Sequence, residues 1–140
     1  MNLIISARLF NPIGQQDGGW SFRFYIRDNI GKSAIAITFT EDRYLYVDLN
    51  EYDVEGNDVN DWSHFAEIPN LAIEFNEYND IEIFAIEKIL LVFVNNEFVV
   101  NIDLPKELES GIISIRSGVY TDSTEGLQAK YEDLRICPLD

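Results

Sequence analysis

The side chains best suited to ligand chemistry occupy every second position in two stretches of the sequence. WSFRFYIR, residues 20–27, and YLYVD, residues 44–48, place polar and aromatic groups between apolar ones. Tyrosine rings stack on flat ligands, arginine donates hydrogen bonds, and aspartate accepts them from hydroxyl groups. We predict a ligand-binding surface made of these alternating side chains, with a tryptophan at its rim: Arg23, Tyr25, Arg27, Tyr44, Tyr46, Asp48 and Trp62. The other interpretation is a ladder of tyrosines and Arg–Asp pairs that only stabilises a sheet.

A second candidate is the acidic segment DVEGNDVND, residues 53–61. Calcium prefers carboxylate and carbonyl oxygens, and four acids of this segment are the predicted ligands: Asp53, Glu55, Asp58 and Asp61. The segment does not fit an EF-hand loop, because Asp58 stands where the turn glycine belongs and His64 where the bidentate glutamate belongs. The alternative is a solvated loop with Asn and Asp turns. No cofactor other than this calcium ion is expected.

Strands must position these residues, because apolar side chains recur with a period of two. WSFRFYIR, SAIAITFT and RYLYVDLN predict three adjacent antiparallel strands, with Trp20, Phe22, Phe24 and Ile26 facing the core. A loop is predicted over residues 50–61, followed by strand-like WSHFAEI and LAIEFNE.

Further along the chain, hairpins are predicted around Glu87-Lys88 and Asn95-Asn96, since asparagine tolerates the backbone of tight turns. The long apolar runs beside Asn95 predict strands covered on both faces. About ten short strands without a helix indicate an all-β protein, with two packed antiparallel sheets as the expected arrangement.

The charge of the chain limits its partners. Asp and Glu number 25 against 10 Lys and Arg, for a net charge of −15, and residues 41–87 hold fourteen acids and one arginine. Such a surface disfavours nucleic acid and anionic membranes and suits a basic partner or a cation. The single cysteine, Cys137, is expected to be a buried structural thiol. The sequence shows no signal peptide and no membrane span, so we expect a cytoplasmic protein or a module of a larger one.

Several stretches together resemble one superfamily. In order they are LFNP, GGWSFRFYIR, YLYVDL, EYNDIEIFAIEKILLVFVNNEFVVNIDL, SGIISIRSG and KYEDLRI. They are similar to the concanavalin A-like lectin/glucanase jelly roll, particularly its laminin-G-like and keto-disaccharide-hydrolase-like modules. The resemblance implies one such sandwich over residues 1–140, and a sheet face that binds sugar. Catalytic members carry a triad of acids on one strand. Here Asp48 and Glu51 could match the last two acids, but Tyr46 replaces the first, so we do not expect an enzyme.

These observations predict a non-catalytic binding module. Carbohydrate is the first expectation for its ligand, because the resemblance points there. The alternative is an acidic intracellular inhibitor or immunity-type protein that covers a basic protein surface, and steep salt dependence of association would mark it.

Overall fold

The computed structural model describes residues 2–13, 19–28, 31–74, 76–107, 111–119 and 128–139. Strands account for most of these residues: β1 Leu3–Ile13, β2 Trp20–Asp28, β3 Ser33–Thr40, β4 Tyr44–Tyr52, β5 Asp58–Glu67, β6 Tyr78–Ile86, β7 Ile89–Val94, β8 Glu97–Asp103, β9 Gly111–Val119 and β10 Gln128–Pro138. No helix among the described residues is long and apolar enough to cross a membrane.

The strands form two antiparallel sheets of five strands each. Sheet A has the order β10-β1-β6-β7-β8, and sheet B has the order β5-β4-β3-β2-β9. The predicted all-β, two-sheet class is confirmed, and so is the meander of β2, β3 and β4. The hairpin at Asn95 and Asn96 is present as well. Both residues have positive φ, at 53° and 65°, and a two-residue turn of this kind matches the twist of the strands that it joins.

The core lies between the sheets, where each strand directs alternate side chains inward. Trp20, Phe22, Phe24 and Ile26 are between 0% and 4% exposed, so their predicted burial is confirmed. Sheet A contributes buried side chains from its other layer, among them Ile5, Ile83, Val92 and Ile102. The apolar faces of the two sheets therefore pack against each other, and the second face of each sheet points outward.

The segment 71–77 was predicted to be strand-like, and that prediction was wrong for its described residues, 71–74, 76 and 77, which form no strand. Asn11 Nδ2 donates to the carbonyl oxygens of Ala72 and Glu74 at 3.0 and 2.8 Å. Asn79 accepts a hydrogen bond from the Ala72 N–H and donates one to the Ala72 carbonyl, each at 2.8 Å. Because buried asparagine amides satisfy these backbone groups, the segment needs no neighbouring strand.

The loop predicted over residues 50–61 is confined to residues 53–57, because β4 and β5 extend further than expected. Asp53 closes the connection. Its Oδ1 accepts hydrogen bonds from the N–H groups of Glu55 and Asn57, both at 2.9 Å. A carboxylate that satisfies two loop N–H groups permits a short turn, so most of the predicted loop is strand.

Two burial predictions were also wrong. Cys137 is exposed, because it lies on edge strand β10 and pairs with Ile4 on the outer face of sheet A. The strands beside Asn95 are not covered on both faces, since Phe98 on β8 is 59% exposed. Phe93 contacts Phe98 with ring centroids 5.6 Å apart, so the outer aromatic residues there shield one another instead of being covered by another layer.

Candidate functional site: the outer face of sheet B

Strand pairing arranges the outer face of sheet B in rows that cross all five strands. The first row is Arg116, Arg23, Thr38, Tyr46 and Phe65, the second is Ser114, Tyr25, Ala36, Asp48 and Ser63, and the third is Ile112, Arg27, Ala34, Asn50 and Asp61. The six alternating residues predicted from β2 and β4 all lie on this face, with Tyr44 just beyond the first row. Residues from β3, from β5 and from the sequence-distant β9 complete it.

The central strand β3 carries small side chains on this face. Ala34, Ala36 and Thr38 are buried although they point away from the core, because taller side chains of β2 and β4 stand on either side. Those two strands are about 9.5 Å apart, twice the spacing of neighbouring strands. The result is a groove of about 440 Å³, lined by Arg23, Tyr25, Ala36, Asp48, Asn50, Tyr52, Asp61, Trp62 and Ser63.

Strand β2 forms the basic wall of the groove, and Arg116 of β9 lies behind it against Tyr25. Arg23 Nε donates to Thr38 Oγ1 at 3.0 Å, which holds this guanidinium against the floor. The guanidinium of Arg116 lies over the Tyr25 ring, 4.4 Å from its centroid, at a distance where the ring face attracts a cation. Arg27 does not line the groove. Its Nη2 lies 2.8 Å from the position that a Cβ would take at Gly31, so Arg27 contacts the β2–β3 turn.

Strands β4 and β5 form the acidic wall. Asn50 Nδ2 donates to Asp61 Oδ1 at 2.8 Å, which orients both side chains. Among the described residues, the half-buried Asp48 carboxylate has no hydrogen-bond partner, so its oxygens are available to ligand hydroxyl groups. Burial raises the pKa of the Tyr52 phenol, and the neighbouring Tyr25 raises it further. Tyr52 therefore stays neutral and able to donate at physiological pH.

An aromatic cluster of Tyr44, Tyr46 and Phe65 continues the face beyond the groove. Their ring centroids are 6.2 to 6.4 Å apart. Tyr46 is 38% exposed and Phe65 is 66% exposed. Tyr46 also borders a smaller hollow of about 330 Å³ beside Glu41. Exposed rings next to a polar groove can stack on the apolar face of a sugar ring.

Trp62 borders the groove from the edge strand β5, where a rim residue was predicted. It pairs with the buried Leu49, and its side chain packs against the core. Its indole stacks on the ring of His64 with centroids 6.2 Å apart and an interplanar angle of 9°. Both rings are on the inner face at the edge of the sandwich, because their positions on β5 are one residue out of phase with the outward set.

The predicted calcium ligands are spread over different parts of the acidic hairpin. The described residues contain no group of three or more His, Cys, Asp or Glu side chains arranged to hold a metal ion. Hydrogen bonds from Asn57 lower the pKa of Asp53, whose carboxylate is engaged in the turn, and Asp61 accepts from Asn50 in the groove wall. Calcium binding by Asp53, Glu55, Asp58 and Asp61 stays a prediction.

The two acids compared with the glycosidase motif, Asp48 and Glu51, lie on opposite faces of β4. Asp48 belongs to the groove wall, whereas Glu51, three residues later, forms an ion pair at 3.5 Å with Lys106. Successive side chains of a strand alternate between its faces, so an odd separation cannot bring both carboxylates into one cleft.

Sequence reasoning missed several side chains of this face. Asn50, Asp61 and Ser63 follow the same alternation and could have been found once the phase of β5 was known. Arg116 could not, because nothing local in GIISIRSGV indicates that β9 pairs with β2. That pairing joins positions more than ninety residues apart and depends on how the whole sandwich closes.

A larger hollow, of about 490 Å³, lies on the outer face of sheet A. Two of its charges are already paired, since Arg8 donates to both carboxylate oxygens of Asp80, at 2.8 and 3.1 Å. Volume alone would favour this hollow. The groove on sheet B instead combines a floor of small side chains with oriented polar groups on its walls, which is the composition expected of a binding site.

No protein-family model matches the sequence, and no curated protein matches it either. Solved structures do match. Sheep galectin-11 in complex with glycerol has a TM-score of 0.61 at 9% identity, over 92% of this chain and 89% of that chain. The Caenorhabditis elegans galectin LEC-6 has 0.58 at 11%, over 96% and 81%. The carbohydrate-binding module CBM66 from Bacillus subtilis has 0.58 at 9%, over 97% and 74%.

At these identities the likeness concerns the fold alone. The chain shares the β-sandwich fold of these structures, in agreement with the fold that the sequence resemblance implies.

Proposed function

We propose that the protein is a non-catalytic carbohydrate-binding module and that its ligand occupies the groove on the outer face of sheet B. The observation that carries the proposal is the make-up of this groove: a floor of small side chains, with hydrogen-bonding groups on both walls and exposed rings at one end. Binding sites of this kind combine apolar surface with a few oriented polar groups.

Each part of the groove has a role in this proposal. A sugar ring rests on Ala36 and reaches the Tyr46 and Phe65 rings with its apolar face. Asp48 accepts hydrogen bonds from its hydroxyl groups, and Tyr52 donates or accepts at the far end. The matched folds of two galectins and a carbohydrate-binding module support a sugar as the ligand class, without defining which sugar.

The absence of catalysis is part of the proposal. A retaining glycosidase needs two carboxyl groups about 5–5.5 Å apart on one cleft, whereas Asp48 and Glu51 lie on opposite faces of their strand. The opposed positions support a binding role for Asp48 rather than a role as nucleophile or acid.

A glycan array on the purified protein, with and without calcium, tests the proposal. Two charge-matched variants sharpen it: Asp48→Ala removes an acid from the groove, and Glu82→Ala removes one from the outer face of sheet A. We expect the first to weaken binding of the strongest array ligand by about 1–3 kcal/mol and the second to leave it unchanged.

Two results would contradict the proposal. Equal binding by wild type and Asp48→Ala would exclude the groove. Absence of glycan binding, together with salt-sensitive capture of a basic protein, would favour the acidic inhibitor instead.

A further inference from the structure

We propose that Arg23 and Arg116 form an anion subsite in the groove, so that the ligand is a saccharide carrying a carboxylate or a sulfate group. This inference rests on the proposed function and specifies its ligand class. Basic residues are few in this chain, which has 10 of them against 25 acidic residues. Nevertheless, Arg23 and Arg116 are direct cross-strand partners on neighbouring strands β2 and β9.

Such a pair is unfavourable unless something neutralises it, because like charges directly opposite each other destabilise a sheet. Among the described residues, neither arginine forms an ion pair. Arg23 donates to a threonine hydroxyl, and Arg116 contacts the face of Tyr25. Both contacts hold the guanidinium groups in place without supplying a negative charge. A ligand anion would supply it.

The chemistry of the two groups selects the kind of anion. Arginine presents a planar array of N–H donors that matches the oxygens of carboxylate, sulfate and phosphate groups. One N–H of Arg23 is used by Thr38, and its other donors are not engaged by any described residue. Because both arginines adjoin Tyr25, an anion between them lies at the edge of the groove that would hold the sugar ring.

The overall negative charge does not prevent this binding. Interactions between exposed charges are screened beyond roughly 8 Å at physiological ionic strength. The acidic wall begins at Asp48 on β4, about 9.5 Å from β2. A ligand therefore meets the arginines with its anionic group and the acidic wall with its hydroxyl groups, which also sets its direction in the groove.

The test is a titration followed through the arginine Nε–Hε signals in NMR spectra. The probes are methyl β-glucuronide, methyl β-glucoside as its neutral counterpart, and methyl β-glucoside 6-sulfate. We expect the two anionic probes to shift the Arg23 and Arg116 signals saturably, with affinities at least about tenfold above that of the glucoside. The Arg8 signal is the internal control, because Asp80 already occupies that guanidinium.

Two variants of equal charge separate a subsite from a general field effect. Arg116→Gln should lower the affinity for the preferred anionic probe about tenfold. Arg27 is on the same face but lies against the Gly31 turn, so Arg27→Gln should change that affinity less than twofold. A difference between the glucuronide and the sulfate would identify which anion the pair accepts.

Affinities for both anionic probes no higher than the affinity for the glucoside would overturn the anion subsite. So would equal losses in both variants, or a shift of Arg8 with the same midpoint. These failures are distinct from failure of the proposed function. Binding of neutral glycans on the array would still support a carbohydrate-binding module. Binding of simple anions without any glycan binding would support the anion subsite and contradict the carbohydrate-binding module.

Discussion

The outer faces of the two sheets are built from the same strand alternation, yet they treat their charges differently. On sheet A, Arg8 makes two hydrogen bonds to Asp80 and its guanidinium lies over the Tyr78 ring at 4.1 Å. On sheet B, Arg116 lies over Tyr25 at a similar distance, 4.4 Å, but no described acid pairs with it. On sheet A the Arg8–Asp80 pair is closed upon itself, whereas on sheet B the Arg116 guanidinium is left for a ligand.

The comparison shows why the larger hollow is the weaker candidate. Polar groups that already satisfy each other must lose those contacts before a ligand can use them. Groups held in place by a ring or a hydroxyl, as on sheet B, are oriented without being neutralised. This difference between pre-organised and self-satisfied groups is the basis for placing the site on sheet B.

The largest expected effect tests which face of sheet B is the core. Phe24→Ala should reduce the free energy of unfolding by roughly 3–5 kcal/mol, because Phe24 is fully buried and packs edge-on against Phe39, with centroids 6.1 Å apart. Tyr46→Ala should cost clearly less, since the Tyr46 ring is partly exposed. Denaturant unfolding of both variants measures this, and equal losses would mean that Tyr46 is a core residue.

The next largest loss of stability is expected for Asp28, a carboxylate of sheet B that accepts hydrogen bonds from backbone N–H groups. Asp28 accepts hydrogen bonds from Lys32 N at 2.8 Å and from Ser33 N and Oγ at 3.0 Å. Burial by itself would raise the pKa of Asp28, but these hydrogen bonds outweigh it and lower the pKa. Asp28→Asn should cost about 1–3 kcal/mol at neutral pH.

The pH dependence of that loss has a definite sign. Because the folded-state pKa is lowered, the stabilisation by Asp28 is present above its unfolded pKa of about 3.9 and is lost as the pH falls through the folded value. The difference between wild type and Asp28→Asn should therefore shrink below about pH 4. A difference that grows on acidification would show that the charged form is not the stabilised one.

A smaller effect compares the arginines of the two faces directly. Arg8→Gln breaks a partly exposed two-bond pair and should lower the free energy of unfolding slightly. Arg116→Gln relieves repulsion from Arg23 and should leave stability unchanged or slightly raise it. Urea unfolding at low and moderate salt distinguishes them. A larger loss for Arg116→Gln would mean that Arg116 has a structural anion partner.

The smallest expected effect is that of calcium. The Asp53 carboxylate already accepts hydrogen bonds within its loop, so we expect millimolar calcium to leave the melting temperature unchanged. A ligand that binds only the folded state raises that temperature. A saturable increase, removed in Asp58→Asn, would establish the calcium site predicted for the acidic segment.

Much of the fold could be predicted from the sequence, because alternation fixes which side chains of a strand share a face. Trp20 and Phe24 were placed in the core, and Tyr25 and Tyr46 on the outer face, by that rule alone. The loop at 71–74 could not be predicted, since its backbone is satisfied by Asn11 and Asn79 from other strands.

The site was predicted only in part for a similar reason. The β2 and β4 side chains could be placed together because those strands are close in sequence. The phase of Asp61 and Ser63 depends on the register of β5 with β4, and Arg116 was out of reach without the β2–β9 pairing. Local alternation of side chains defines which residues of one strand share a face. The composition of a site also depends on how strands distant in sequence pair with each other.

The central claim is that sheet B, and not sheet A, presents the binding surface. The most direct test is to titrate the uniformly labelled protein with the strongest array glycan and follow the backbone amide signals in NMR spectra. We predict saturable shifts in β2, β3, β4 and β5, centred on Tyr25, Ala36 and Asp48, with the amides around Arg8 and Glu82 unchanged. Shifts centred on β6, β7 and β8 would place the site on sheet A and contradict the account.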